Sequence, residues 1–201
     1  MVLRRNYFKH LKIIMVVRKR MNHNKKNHKS NLDFKIMSFF FKIRDFFKDP
    51  NKKIEKIGLN EGDYVLEYGC GPGSFTIPIA KKVGASGKVF AADTHPLASE
   101  KIKKRANKYD MNNIETIITD CKTDLEEKSI DKVVLIDVLH DLSKYQENLK
   151  EFYRILKNDG NLWVDDHHFD EEEIILRVTT NDLFEYIGNI DSLFEFKKKS
   201  R

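Results

Sequence analysis

An apolar strand that runs into a glycine-rich loop constrains this 201-residue chain more than any other feature. The segment reads Val65-Leu66-Glu67-Tyr68-Gly69-Cys70-Gly71-Pro72-Gly73, with glycine at every second position of the loop. Glycine is required where the backbone turns sharply or where a ligand lies against the main chain. At the carboxyl end of a first parallel strand, such a loop is where a doubly wound α/β fold binds a nucleotide-like ligand.

Strands and helices alternate along the rest of the chain, a pattern typical of a parallel sheet with helices on both faces. We predict a Rossmann-like doubly wound α/β sheet that is closed by a C-terminal antiparallel β-hairpin, with Gly188 and Asn189 in its turn. The five parallel strands are predicted over 64–68, 88–92, 114–118, 132–136 and from 161. The helix predicted before the fifth strand ends at Leu156, with Gly160 as its C-cap.

The charge divides the chain into a basic beginning and an acidic remainder. Residues 1–50 contain 14 Lys and Arg against 3 Asp and Glu, whereas residues 51–201 contain 23 against 28. We therefore expect a basic, mobile extension over 1–31, N-terminal helices over 32–58 and the ligand-binding domain over 59–201. A run of apolar side chains is expected to pack one helix against the sheet, with a lid over the ligand as the alternative: Phe39, Phe40, Phe41, Ile43, Phe46 and Phe47.

Cysteine content and hydropathy indicate a cytoplasmic protein without a membrane span. The two cysteines, Cys70 and Cys121, form no Cys-x-x-Cys motif and no disulfide framework. The apolar run over 13–17 is far too short to cross a bilayer and lacks a signal-peptide cleavage site.

A carboxylate lies near the end of each of the first four predicted strands: Glu67, Asp93, Asp120 and Asp137. The carboxyl ends of parallel strands converge on one crevice, so these groups are expected to line it. Such a lining disfavours a pyrophosphate and suits a ligand with positive charge. Together with the Gly-x-Gly-x-Gly spacing, it argues against a dinucleotide-dependent oxidoreductase.

Several segments in the expected order along about residues 60–197 resemble motifs of class I S-adenosylmethionine-dependent methyltransferases. They are the Glu67–Gly73 loop, Ala92-Asp93, the segment 131–142 and the turn at 154–160, where Asn158-Asp159 replaces the usual Pro-Gly. The resemblance implies S-adenosylmethionine as the cofactor, whose sulfonium and ammonium groups fit an acidic crevice.

The same resemblance implies a cofactor role for each residue of the crevice. Glu67, Gly69, Gly71, Gly73, Asp93, Asp120 and Asp137 are the expected cofactor-binding residues. Asp93 would take the ribose diol, since it follows the glycine loop at the interval used for that contact. Asp120 would accept from the adenine amine and Asp137 from the methionine ammonium. Glu67 would contact the same ammonium or the backbone of the glycine loop.

Histidines and aspartates after strands four and five are the candidate catalytic groups. We rank His140 and His167 first, with Asp166, because histidine can accept a proton near neutral pH. Neighbouring side chains on an extended segment point in opposite directions, so only one of His167 and His168 is expected to face the crevice. The alternative is a divalent metal held by Asp137 with Asp165 or Asp166, as in metal-dependent O-methyltransferases.

The sequence does not name the methyl acceptor. A small molecule is favoured, because the main domain is acidic and no separate recognition domain is visible. The alternatives are an RNA methyltransferase that uses the basic extension over 1–31, a metal-dependent O-methyltransferase, and a non-catalytic S-adenosylmethionine binder.

Overall fold

A computed structural model of the chain describes residues 30–47 and 49–199, except for the side chains of Phe46 and Phe47. The extension predicted over 1–31 lies outside the described residues, apart from its last two members. Ser30 begins the described part and forms a reciprocal cap with Asp33: each backbone N–H donates to the other side chain at 3.2 Å. This capping box starts the first helix.

Within the described residues, two helices precede the sheet. The first, α1, spans Asn31–Phe47, and the second, α2, spans Pro50–Ile54 and continues into a 3-10 turn at Glu55–Ile57. Asp49 caps α2 by accepting from the backbone N–H of Asn51 at 2.9 Å.

Seven strands and four further helices follow. The strands are β1 (Tyr64–Tyr68), β2 (Lys88–Asp93), β3 (Ile114–Ile118), β4 (Ile130–Ile136), β5 (Leu156–Asp165), β6 (Phe184–Ile190) and β7 (Leu193–Lys198). The helices are α3 (Thr76–Val83), α4 (Pro96–Lys108), α5 (Tyr145–Ile155) and α6 (Glu171–Thr179).

The sheet has the strand order β3-β2-β1-β4-β5-β7-β6. Strands β1 to β5 are parallel, whereas β7 pairs antiparallel with both β5 and β6. The prediction of a doubly wound parallel sheet closed by an antiparallel pair is therefore confirmed. The chain leaves β1 toward β3 and returns to β4 on the other side of β1, so the crevice between β1 and β4 is the topological switch point.

Successive residues of the central strands point to opposite faces of the sheet, and each face is covered by helices. Leu66 of β1 belongs to a core with Leu149 and Phe152 of α5, whereas Val65 belongs to a second core with Ile79 and Val83 of α3. All six side chains are fully buried. Because both faces are apolar, the central strands read as nearly continuous hydrophobic runs.

Two glycine predictions are wrong. Gly160 does not cap a helix but lies within β5, where an added Cβ would approach the carbonyl oxygen of Asp131 to 3.0 Å. Gly188 and Asn189 belong to β6, and the hairpin turns at Asp191 and Ser192 instead. Asp191 adopts a left-handed φ of 55° there, because aspartate also tolerates this conformation.

The predicted apolar stripe of α1 is not the face that packs on the sheet. Phe39 is 62% exposed, and Phe40 and Ile43 are also exposed, whereas Phe34 is buried. Since α1 is apolar around most of its circumference, periodicity does not decide which face is docked. Burial of a phenylalanine such as Phe34 stabilises the docked helix by about 2–3 kcal/mol.

Among residues 30–47 and 49–199, no helix combines the length and the apolar character that crossing a bilayer requires.

Candidate active site

The glycine loop follows β1 and is held against the end of β2. The backbone N–H groups of Gly69 and Cys70 both donate to the carbonyl oxygen of Ala92, at 2.7 and 3.0 Å. Gly69, Gly71 and Gly73 have φ values of 77°, 51° and 82°, in the left-handed region that side chains disfavour.

Two of these glycines also lie where a side chain would collide with the protein. A Cβ on Gly69 would lie 2.3 Å from Cγ2 of Val138, and one on Gly73 would lie 2.9 Å from Cγ1 of Ile102. Gly71 has more room, since its nearest neighbour is a ring carbon of Phe41 at 3.6 Å. The packing of the loop against the rest of the protein therefore requires glycine at positions 69 and 73.

Asp93 at the end of β2 is aligned by the loop itself. One carboxylate oxygen accepts from the backbone N–H of Gly71 at 2.8 Å, and the other accepts from that of His95 at 2.8 Å. Each oxygen keeps a second lone pair for a further donor. The carboxylate is thus preoriented beside the loop, as a ribose-binding group requires, and the diol contact stays a prediction.

Glu67 is buried beneath the loop rather than lining an open crevice. Its side chain accepts from the hydroxyl of Thr76, the first residue of α3, at 2.5 Å. Burial raises its pKa to about 8, and the hydrogen bond from Thr76 only partly offsets this effect. Glu67 is therefore mostly protonated at neutral pH and adds little negative charge to the site. Its predicted contact with the cofactor stays a prediction.

Asp120 lies after β3 and is the most exposed of the four carboxylates. Its side chain is 60% exposed and accepts from Nζ of Lys144 at 2.6 Å, which lowers the pKa of the carboxyl group. The four strand-end carboxylates are therefore unequal, because one is protonated and another is already paired. Asp93 and Asp137 remain as the partly buried anions nearest the switch point.

Helix α1 lies across the glycine loop. The hydroxyl of Ser74 donates to Asp45 at 2.5 Å, and the guanidinium of Arg44 lies 4.4 Å from the ring centre of Phe41. Arg44 also reaches to 3.7 Å from a carboxylate oxygen of Asp137, at the end of β4. Sequence reasoning missed these contacts, although a charged Arg-Asp pair within a phenylalanine-rich helix is a usable signal.

The beginning of α1 is fixed over the end of β2. The ring of Phe34 stacks on His95 with a centroid distance of 4.5 Å and an interplanar angle of 22°. Lys101 places its ammonium group 5.1 Å from the centre of the same ring. Helix α1 therefore spans the crevice from the Asp93 side to the Asp137 side.

Asp166, just after β5, holds two imidazoles with its two oxygens. One oxygen contacts Nδ1 of His140 at 2.8 Å and accepts the His140 backbone N–H at 3.0 Å. The other contacts Nδ1 of His168 at 3.0 Å and accepts the His168 backbone N–H at 3.0 Å. The Asp166 side chain has no exposed surface. The carboxylate therefore fixes both rings.

A second histidine–aspartate pair lies beside the first. Nδ1 of His167 contacts a carboxylate oxygen of Asp137 at 2.5 Å. The ring of His168 lies between the other two, with centroid distances of 3.7 Å to His140 and 4.0 Å to His167. The expectation that only one of His167 and His168 faces the site is therefore wrong. These residues form a turn beyond β5, where strand alternation no longer applies.

The electrostatics of this cluster favour ionised carboxylates and a neutral His168 ring. Burial raises the pKa of Asp166, but hydrogen bonds from His140 and His168 outweigh it and lower the pKa well below the usual range. Burial likewise opposes ionisation of Asp137, and the hydrogen bond and charge of His167 still lower its pKa. Burial and the neighbouring imidazoles lower the pKa of His168.

Asp165 is not part of the cluster, so of the two predicted metal-binding pairs Asp137 is brought together with Asp166 and not with Asp165. Asp165 is the last residue of β5 and its carboxylate accepts from Ser192 at 2.8 Å and from Lys53. A metal site at this edge would therefore use Asp166 and not Asp165.

The fold and site define a class of protein: an α/β domain that binds a nucleotide-like cofactor at its switch point, with a histidine–aspartate cluster next to it. Residues 59–197 match the family model described as "Methyltransferase domain". That match covers more than half of the chain, and the chain belongs to this methyltransferase family.

Individual relatives are more distant. The chain is 32% identical over 122 residues to the aklanonic acid methyltransferase DauC from Streptomyces sp., which covers 55% of this chain and 54% of that protein. A SAM-dependent methyltransferase from Aquifex aeolicus has the same fold, with a TM-score of 0.66, 23% identity and coverage of 74% of this chain and 87% of that one.

A third similar protein, coclaurine N-methyltransferase, was solved with N-methylheliamine and SAH. The TM-score is 0.52 at 21% identity, over 71% of this chain and 39% of that one. The chain spans about a third to a half of the length of the curated relatives that it matches.

The cofactor of this family is S-adenosylmethionine, and the residues around the glycine loop fit it. The loop holds three glycines in the left-handed conformation at the end of β1, and Asp93 is a preoriented acceptor for a diol. Asp137 is an anion at the end of β4 that already attracts the guanidinium of Arg44. A cationic ligand suits this position for the same electrostatic reason.

Proposed function

We propose that this protein transfers a methyl group from S-adenosylmethionine to a small-molecule acceptor, with His140, His167 and Asp166 as the catalytic residues. The observation that carries the proposal is the pair of histidine–aspartate contacts at the ends of β4 and β5, on the same sheet edge as the glycine loop. When bound, S-adenosylmethionine supplies an electrophilic methyl group on a sulfonium.

The protein then has to hold the donor, align the acceptor and remove a proton where the acceptor carries one. Because ionised Asp166 can only accept, Nδ1 of His140 carries the proton of their hydrogen bond. The nitrogen of a neutral His140 that can take a proton from the acceptor is then Nε2. By the same argument Asp137 orients His167.

A small acceptor is supported by the relatives and by charge. DauC is named for aklanonic acid, and the coclaurine N-methyltransferase structure holds N-methylheliamine. Residues 51–201 contain 23 basic against 28 acidic residues, which does not favour a polyanion. RNA is the alternative acceptor, supported by the basic residues before α1.

The cofactor site can be tested by binding of S-adenosylmethionine, measured by calorimetry. We expect Asp93→Ala and Gly71→Val each to abolish detectable binding, since the first removes the aligned acceptor and the second puts a β-branched residue at a left-handed position. Asn112→Ala, at an exposed position, is the control and should bind like the parent. If both site variants bind normally, the cofactor assignment is wrong.

The catalytic assignment is tested by turnover, read as S-adenosylhomocysteine formed with a panel of hydroxyl- and amine-bearing small molecules. We expect His140→Gln and His167→Gln to lower kcat by about 10²–10⁴-fold with cofactor affinity retained, the usual range for loss of a general base. The exposed Glu172→Gln is a matched control. Normal cofactor binding without turnover on any acceptor would favour a non-catalytic binder.

Deletion of residues 1–29 separates the two acceptor classes. The deletion keeps the Ser30–Asp33 capping box, so α1 retains its start. If the acceptor is a small molecule, the shortened protein keeps its activity. If RNA affinity and activity are both lost on deletion, the small-molecule proposal is overturned.

A further inference from the structure

The histidine–aspartate cluster has the composition and spacing of a metal site that differs from the one predicted from the sequence. Donor atoms of His140, Asp166 and His168 all lie within 4.8 Å of one another. Those of Asp137, Asp166 and His167 form a second such group. The two groups share Asp166, whose side chain has no exposed surface, so both would draw on one desolvated carboxylate.

The contacts within the first group, each to a different oxygen of Asp166, are slightly shorter than the spacing of ligands around one ion. Two donors that each lie about 2.1 Å from a metal are roughly 3.0–3.4 Å apart in octahedral or tetrahedral geometry. The Nδ1 atoms of His140 and His168 lie 2.8 and 3.0 Å from the oxygens of Asp166. Small movements would therefore allow an ion to replace the two shared protons.

The charges of the cluster also suit a cation. Two carboxylates, Asp137 and Asp166, face three imidazoles, and Arg44 approaches Asp137 only to 3.7 Å. A protonated stack of three rings at about 4 Å would repel itself, whereas one divalent ion balances both carboxylates.

We propose that His140, Asp166 and His168 bind one divalent transition-metal ion of the zinc or cobalt type. A mixed set of imidazole nitrogen and carboxylate oxygen selects these ions over magnesium and calcium, which prefer oxygen ligands alone. Three protein ligands leave at least one position open for water or for an oxygen of a bound small molecule.

With the ion bound to Nδ1, the ring proton of His140 moves to Nε2, so that nitrogen can no longer accept a proton. His167, held by Asp137, is then the imidazole left to act as a base. The metal proposal shares residues with the proposed function but does not depend on methyl transfer. Its test therefore uses neither cofactor nor acceptor, so that the two can fail separately.

The experiment is a titration of the full chain with Zn²⁺, followed by calorimetry, and with Co²⁺, followed by visible absorption. Three histidines before α1, at positions 10, 23 and 28, could bind metal on their own. The parent for all variants should therefore carry H10Q, H23Q and H28Q. We expect one ion per chain and a Co²⁺ absorption band typical of four or five ligands.

Asp166→Asn and His168→Gln should each weaken Zn²⁺ binding by at least 100-fold, because each removes a direct ligand. His167→Gln should weaken it less than 10-fold, and Glu172→Gln, which removes an exposed carboxylate, should leave it unchanged. His168→Gln keeps the proposal testable if Asp166→Asn fails to fold. The proposal is overturned if the parent binds no ion tighter than millimolar, or if His168→Gln and His167→Gln bind alike.

Discussion

Substitution of Gly69 by alanine tests the central claim that the loop geometry requires glycine at this position. Alanine at this position destabilises the folded state in two separate ways. The left-handed φ of 77° costs about 1–2 kcal/mol, and the new Cβ overlaps Val138, whose methyl carbons would lie at 2.3 and 2.7 Å. Overpacking of this kind costs about 1–3 kcal/mol more, so we expect a total loss of about 2–5 kcal/mol in the free energy of unfolding.

Gly58 provides the matched control, because it has a similar φ of 63° and no atom within 4 Å of an added Cβ. Gly58→Ala should therefore lower the free energy of unfolding only through the backbone conformation, by about 1–2 kcal/mol. The difference between the two variants isolates the overlap with Val138. Urea unfolding followed by circular dichroism measures all three proteins under one set of conditions.

The double variant Gly69→Ala/Val138→Ala identifies the colliding partner. Removal of the Val138 methyl groups should restore about 1–2 kcal/mol relative to the sum of the single changes, as expected for residues in contact. If Gly69→Ala costs no more than Gly58→Ala, or if the two changes are additive, the steric argument is refuted. The loop would then require glycine for its backbone conformation alone.

Three further predictions concern titration and capping. Glu67 has a pKa raised to about 8, so the folded state loses stability as the pH rises from about 4.5 to 8. Glu67→Gln should abolish this loss of a few kcal/mol, measured by urea unfolding at several pH values. Glu151 has the opposite effect: burial raises its pKa, but hydrogen bonds led by that of Arg154 lower the pKa to about 2. The stability that Glu151 contributes is therefore lost as the pH falls from about 4.5 to 2. In Glu151→Gln, the free energy of unfolding should depend less on pH over this range. The side-chain amide of Asn113 donates to two carbonyl oxygens at the end of α3, at 2.9 and 2.8 Å. Asn113→Ala should therefore lower the midpoint of thermal unfolding by several degrees, which corresponds to about 1–2 kcal/mol. Asn112→Ala, at an exposed position, should leave the midpoint unchanged.

The sheet could be predicted from the sequence because its determinants are local. Alternating apolar strands and amphipathic helices fix the order of the elements, and the glycine loop marks the end of β1. Glycines outside that loop were harder to interpret. Gly160 is required by a close approach to the backbone at Asp131, a contact that only the folded sheet creates.

The candidate site was predictable in its residues but not in their pairing. His140, His167 and Asp166 follow strand ends, and chain position alone brings them to one sheet edge. The partnership of Asp166 with His168, and of Asp137 with His167, depends on a turn after β5 that no periodicity reveals. The docked face of α1 was equally hidden, because a helix with apolar residues on all sides can bury any of them.

The interior position of β7 has a consequence for how the chain is made. β7 lies between β5 and β6 in the sheet, although it follows β6 in the sequence. During synthesis, the edge of β5 stays unpaired until Leu193–Lys198 has left the ribosome, and the buried Lys198 cannot yet donate to the carbonyl oxygen of Leu156. An unpaired apolar edge invites pairing with other chains. The nascent protein is therefore exposed to such pairing until β7 emerges.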